Sequence, residues 1–124
     1  HGFASVICGY FRIPHGVVCG TLFAPTVKTT IENLDREKEK SPALEKFGRA
    51  GYLLAGKKGN DVETGCGLLV DTLYKWTDQL EIPKLGKYGI EDLHMEMIVQ
   101  ETGQKNNPSK LSNDQLKSIL QERL

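Results

Sequence analysis

An all-α fold over residues 1–124, one helical domain, follows from two features of the sequence. Between Val62 and Leu80 the apolar positions Val62, Cys66, Leu69, Leu73, Trp76 and Leu80 step by four and three, which draws one continuous stripe down a helix. Nowhere does apolar and polar alternation persist long enough to make a strand with one buried face. Helix start and stop signals then divide the rest of the chain, and no internal repeat is evident.

Phe3 to Phe11 is apolar and rich in small residues, among them Ala4, Ser5 and Gly9. Periodicity does not separate helix from strand in so short a run. Pro14 suits the first turn of a helix that continues through Val17, Val18, Leu22 and Phe23. Pro25 is expected to kink that helix or end it within a turn, and the polar stretch Glu32 to Lys40 reads as a loop. Ser41-Pro42 supplies an N-cap followed by a first-turn proline. Leu44, Phe47, Gly51 and Leu54 share a face, and Gly56 with Gly59 stops the segment.

Asp61 caps the long helix, and Ile82-Pro83 ends it. A further helix is expected from Gly89 to Thr102, with Ile90, Leu93, Met97 and Ile98 inward. Gly103 to Pro108 is a loop. Ser112 and Gln115 form a capping box for a last helix with Leu116, Ile119, Leu120 and Leu124 on its apolar side.

Composition narrows the function classes. Apolar residues make up 39% of the chain and charged residues 26%, and 16 basic side chains balance 16 acidic ones. The charges from Asp35 to Lys40 alternate in sign, so the positive footprint of a nucleic-acid binder is absent. No apolar run approaches the ~20 residues that span a bilayer. The start carries neither the basic n-region nor the h-region of a signal peptide. Cys8, Cys19 and Cys66 are odd in number and contain no C-x-x-C pair, which suits free thiols in a reducing cytoplasm.

Histidine is where chemistry would have to start. His94 lies in an amphipathic segment beside Glu91 and Glu96 and reads as a surface residue. His15 stands in Ile13-Pro14-His15-Gly16, where proline fixes the backbone and glycine leaves room. An imidazole held on a rigid helix start suits metal ligation, although a capping or structural histidine is the plainer reading of that residue alone. His1 alone reads as a tag remnant or a disordered end.

The string His1-Gly2-Phe3-Ala4-Ser5 … Ile13-Pro14-His15-Gly16, taken whole, resembles the metal-binding segment of the iron-containing (group III) alcohol dehydrogenases. Asn107-Pro108, Leu111-Ser112 and the segment Asp114 to Leu120 are similar to that family's closing helix. Ile82-Pro83 and Gly89-Ile90 occur in the family's order. The resemblance covers essentially the whole chain and implies the helical C-terminal domain of a two-domain enzyme.

By that resemblance His1 and His15 are two of four metal ligands, the others being an upstream aspartate and histidine. The metal is iron(II), or zinc in some relatives. NAD(P) would bind mainly on an N-terminal α/β domain, which is the implied partner. Gly56-x-x-Gly59 and Gly65-x-Gly67 lack the strand and the third glycine of a dinucleotide loop. The reaction implied is hydride transfer between an alcohol and the nicotinamide, giving an aldehyde or ketone. Two imidazoles alone make a poor metal site, so the chain by itself is expected to be inactive.

One departure concerns Ser5. Many family members carry a proton-relaying histidine at this position, four residues after the first ligand, and serine does not titrate near neutrality. Val6 likewise stands where proline is common. The competing class is a non-enzymatic helical interaction domain. The dehydrogenase reading requires His1 and His15 to face one exposed edge. It also expects the face around Phe3, Val6, Phe11 and Phe23 to be unusually apolar or covered, by the missing domain or by a second copy of the chain.

Overall fold

A computed structural model describes residues 2–37, 41–104 and 107–124. Among them are six α-helices and no strand: α1 (Gly2–Tyr10), α2 (His15–Arg36), α3 (Pro42–Ala55), α4 (Val62–Gln79), α5 (Met95–Glu101) and α6 (Asn113–Glu122). Two 3-10 turns, Leu85–Tyr88 and Asp92–His94, link α4 to α5.

Helix α2 is the spine. Its first half joins α1, α5 and α6 in a core built on Ile7, Val18, Leu22, Leu85, Ile90, Met95, Ile98 and Leu120. Its second half reaches a smaller core, where Ile31 meets Cys66 and Leu69 of α4, with Leu44 and Phe47 of α3 packed alongside. Because α2 serves both cores, it runs unbroken through Pro25 to Arg36, contrary to the expected break and to the loop expected from Glu32. Ala24, Pro25, Ile31 and Leu34 are all buried. Burying them outweighs the ~3 kcal/mol that an interior proline costs a helix. The remainder of the expected loop, residues 38–40, lies outside the described residues.

The caps read from the sequence are in place. The Ser41 hydroxyl accepts from the Ala43 amide and the Asp61 carboxylate from the Thr64 amide, and Ser112 with Gln115 makes a reciprocal capping box. Gly56 ends α3 in the left-handed region at φ 67°.

The α3–α4 pair departs from its sequence pattern. Trp76 and Leu80 continue the apolar stripe yet are 40% and 72% exposed, while Thr77 is buried. Leu54, expected inward, is 42% exposed. The contact is made instead by glycines. A Cβ added to Gly65 would lie 2.7 Å from the Gly48 Cα, and one added to Gly51 would lie 2.9 Å from the Leu69 amide nitrogen. Helices that cross with backbones this close leave no room for a side chain at the crossing itself, and Leu44, Phe47 and Leu69 pack beside it.

The segment expected as one helix from Gly89 to Thr102 begins instead with the Asp92–His94 turn, and α5 starts at Met95. The 3-10 turn advances by three residues rather than 3.6 and so shifts the helical phase. Met95, Ile98 and Val99 consequently face inward, and Leu93 is 74% exposed rather than buried. At the far end the chain folds back on itself. The Leu85 and Gly86 amides donate to the Arg123 and Leu124 carbonyls, and the Arg123 guanidinium donates to the Thr21 hydroxyl and the Ile82 carbonyl.

Candidate metal centre at the start of α2

The corner between α1 and α2 positions His15. The Phe11 amide donates to the Ile7 carbonyl, the Ile13 amide to the Phe11 carbonyl, and the Cys8 thiol to the Ile13 carbonyl. Pro14 takes the N-cap position in extended backbone, and its carbonyl accepts from the Val17 and Val18 amides. No side chain caps this helix, so His15 is its first residue rather than its cap. Its imidazole is exposed, and Nε2 lies 3.4 Å from the Cys19 Sγ one turn along.

Cys19 is also a wall of an open pocket of about 240 Å³ between α1 and α2, lined by Phe3, Ala4, Val18, Leu22, Phe23, Thr26 and Val27 besides. The first turn of α1 therefore lies against residues 18–27 of α2. Ser5, on α1, is exposed. His1 lies outside the described residues.

The apolar face expected around Phe3, Val6, Phe11 and Phe23 is smaller than anticipated. Phe3 is buried, Val6 and Phe11 pack half-buried against the main core, and Phe23 alone of the four is exposed, at 49%. Three of these four side chains are absorbed when α1 folds onto α2.

His94 is half-buried rather than a plain surface residue. Its ring meets Phe11 edge-on at 4.9 Å between centroids, and its Nδ1 accepts from the Glu91 amide at 2.9 Å. That nitrogen is committed to capping the start of the 3-10 turn. Among the three cysteines, none of which is in a disulfide, Cys66 is buried at the α3–α4 contact, where burial pushes its thiol pKa up and keeps it protonated. Among the described residues no three His, Cys, Asp or Glu side chains converge on one point. His15 and Cys19 are the adjoining donors. The His15-x-x-x-Cys19 spacing was present in the sequence as an i, i+4 pair, but only a continuous helix sets the two donors side by side.

A helical domain with an exposed imidazole and a thiol at one corner is the class of molecule that results. The chain matches the Fe-containing alcohol dehydrogenase family, C-terminal, over residues 1–124, and it belongs to that family. An archaeal halo-thermophilic alcohol dehydrogenase from a Red Sea brine pool, solved as a histidine-to-alanine mutant and in a ligand-bound form, superposes with a TM-score of 0.83 at 23% identity. A 1,3-propanediol oxidoreductase superposes with a TM-score of 0.80 at 18% identity. Each superposition covers all of this chain and 32% of the solved one, so the chain spans about a third of their length. No curated protein matches it in sequence. Among the described residues no helix is long and apolar enough to cross a membrane.

Proposed function

We propose that the chain is the metal-binding helical domain of an NAD(P)-linked alcohol dehydrogenase that interconverts an alcohol with an aldehyde or ketone. Family membership across residues 1–124 carries this reading. The cation is iron(II) or zinc, held in part by His15 and, on the family resemblance, by His1. When bound, it supplies Lewis-acid polarisation of the alcohol oxygen. The donor chemistry suits such a cation. The His15 imidazole is exposed, sits on a helix start braced by Pro14, and is not spent on capping.

His15 orients through its position in the first turn of α2, so its ring needs little reorganisation to bind. Ser5 holds a water through its hydroxyl and does not itself carry a proton away near neutrality. NAD(P) binds mainly on an N-terminal dinucleotide-binding domain. Gly65 and Gly67 lie inside α4 and offer no phosphate-cradling loop. On this reading the chain alone does not turn over substrate, acts in the cytoplasm, and meets its partner domain or a second copy along the Phe23 rim.

The test is metal analysis and NAD(P)-linked alcohol oxidation by the protein encoded in the full reading frame, compared with its H15A variant. Loss of both metal and turnover in H15A is expected, with no turnover by residues 1–124 alone. Unchanged metal content and rate in H15A would overturn the assignment.

A further inference from the structure

We infer that the pocket between α1 and α2 receives the carbon chain of the substrate, and that the substrate is accordingly an unbranched aliphatic alcohol, or the matching aldehyde, rather than a diol or polyol. The inference rests on the proposed function and adds a substrate class to it. The observation that carries it is continuity. Cys19 is a wall of the pocket, and its Sγ lies 3.4 Å from the His15 Nε2. An alcohol whose oxygen is held beside the His15 ring therefore has the pocket within one side chain of its carbon chain.

The lining and the size both suit hydrocarbon. Phe3, Ala4, Val18 and Leu22 are buried members of the main core, so this part of the wall is formed before any ligand arrives. Phe23, 49% exposed, and the half-buried Val27 complete the apolar lining. No charged side chain lines the pocket, and its side-chain polar atoms are the Thr26 hydroxyl and the Cys19 thiol. Its volume of about 240 Å³ falls below the ~300–1,000 Å³ usual for drug-sized ligands, which leaves room for a short chain and none for a dinucleotide. A second hydroxyl carried inward would exchange water for Phe3 and Leu22, and burying it unpaired is disfavoured by about tenfold or more.

The test is run on the protein encoded in the full reading frame. Across straight-chain primary alcohols from ethanol upward, kcat/KM is expected to climb about fourfold per methylene until the pocket is full, the gain for burying each CH2. 1-Butanol is expected to exceed 1,3-propanediol, in which a hydroxyl replaces its terminal methyl, by about tenfold or more. T26F fills the pocket and should flatten the series. F23A removes an exposed side chain of the lining, leaves the core intact and should lower the slope. A flat parent series, a preference for the diol, or equal slopes in T26F and the parent overturns the inference.

A second readout needs neither metal nor turnover. In the metal-stripped protein, equilibrium affinity for the same alcohols is expected to rise with chain length and to weaken in T26F. Affinity independent of chain length, beside an H15A variant that has lost metal and turnover, overturns the inference and leaves the proposed function standing. Affinity that rises with chain length, beside an H15A variant with the parent's metal content and rate, overturns the proposed function and leaves the pocket's occupant standing.

Discussion

Gly65 and Gly67 stand two residues apart in α4, and replacing each by alanine should move stability in opposite directions. At Gly67 an added Cβ meets nothing within 4 Å, and the residue is exposed. The gain is then the helix propensity of alanine over glycine, about 0.8–1 kcal/mol. At Gly65 the same atom would press into the backbone of Gly48, 2.7 Å from its Cα and 2.8 Å from its carbonyl carbon. Backbone cannot rotate aside as a side chain can, so α3 and α4 must separate. Overpacking of this kind costs about 1–3 kcal/mol, occasionally more, and the upper end applies here. After the propensity gain is subtracted, G65A should lose about 2 kcal/mol.

For a domain of this size each kcal/mol moves the melting temperature by about 4 °C. Thermal unfolding followed by circular dichroism should therefore place G65A about 8 °C below the parent and G67A about 4 °C above it. If the two variants melted together, α3 and α4 would not cross at these glycines.

Two further outcomes follow from the chain's closing contacts. R123A removes the guanidinium that reaches the Ile82 carbonyl and the fully buried Thr21 hydroxyl, each at 2.9 Å. Hydrogen bonds to a charged group are worth about 1.5–3 kcal/mol, so the urea midpoint should fall by the equivalent of about 2 kcal/mol, with R123K recovering only part of it. Tyr74 donates its phenol proton to the Glu122 carboxylate at 2.6 Å, and burial followed by that bond raises its pKa. A folded pKa above the unfolded value of 10.0 favours the protonated phenol in the native state. This contribution is whole below pH 10 and fades as pH climbs past it toward the folded value. Stability should accordingly decline above pH 10 in the parent and less steeply in Y74F, as read from denaturant midpoints across alkaline pH.

Local chemistry was legible in the sequence wherever a feature depends on a few neighbouring residues. Ser41, Asp61 and Ser112 are caps because their side-chain oxygens reach amides two or three residues away. Gly56 ends its helix because it enters the left-handed region without steric cost. The Pro14-His15 start of α2 is of the same kind, and so was the family resemblance that rests on it.

What the sequence left open depends on partners distant along the chain. Pro25 should break a helix on propensity alone, yet α2 continues because two cores on its opposite halves bury Val18, Leu22, Ile31 and Leu34. Leu93 sits at helical spacing but faces solvent, because a 3-10 turn sets a phase that periodicity does not report, and the close crossing of α3 and α4 at Gly48 and Gly65 joins residues far apart in the chain. The candidate metal centre divides in the same way. Sequence alone singled out His15 as an imidazole on a rigid helix start. The Cys19 sulfur beside it, and the pocket that Cys19 shares with Phe3 and Phe23, exist only once α1 folds onto an unbroken α2, since a contact distance and a cavity wall are properties of packed helices.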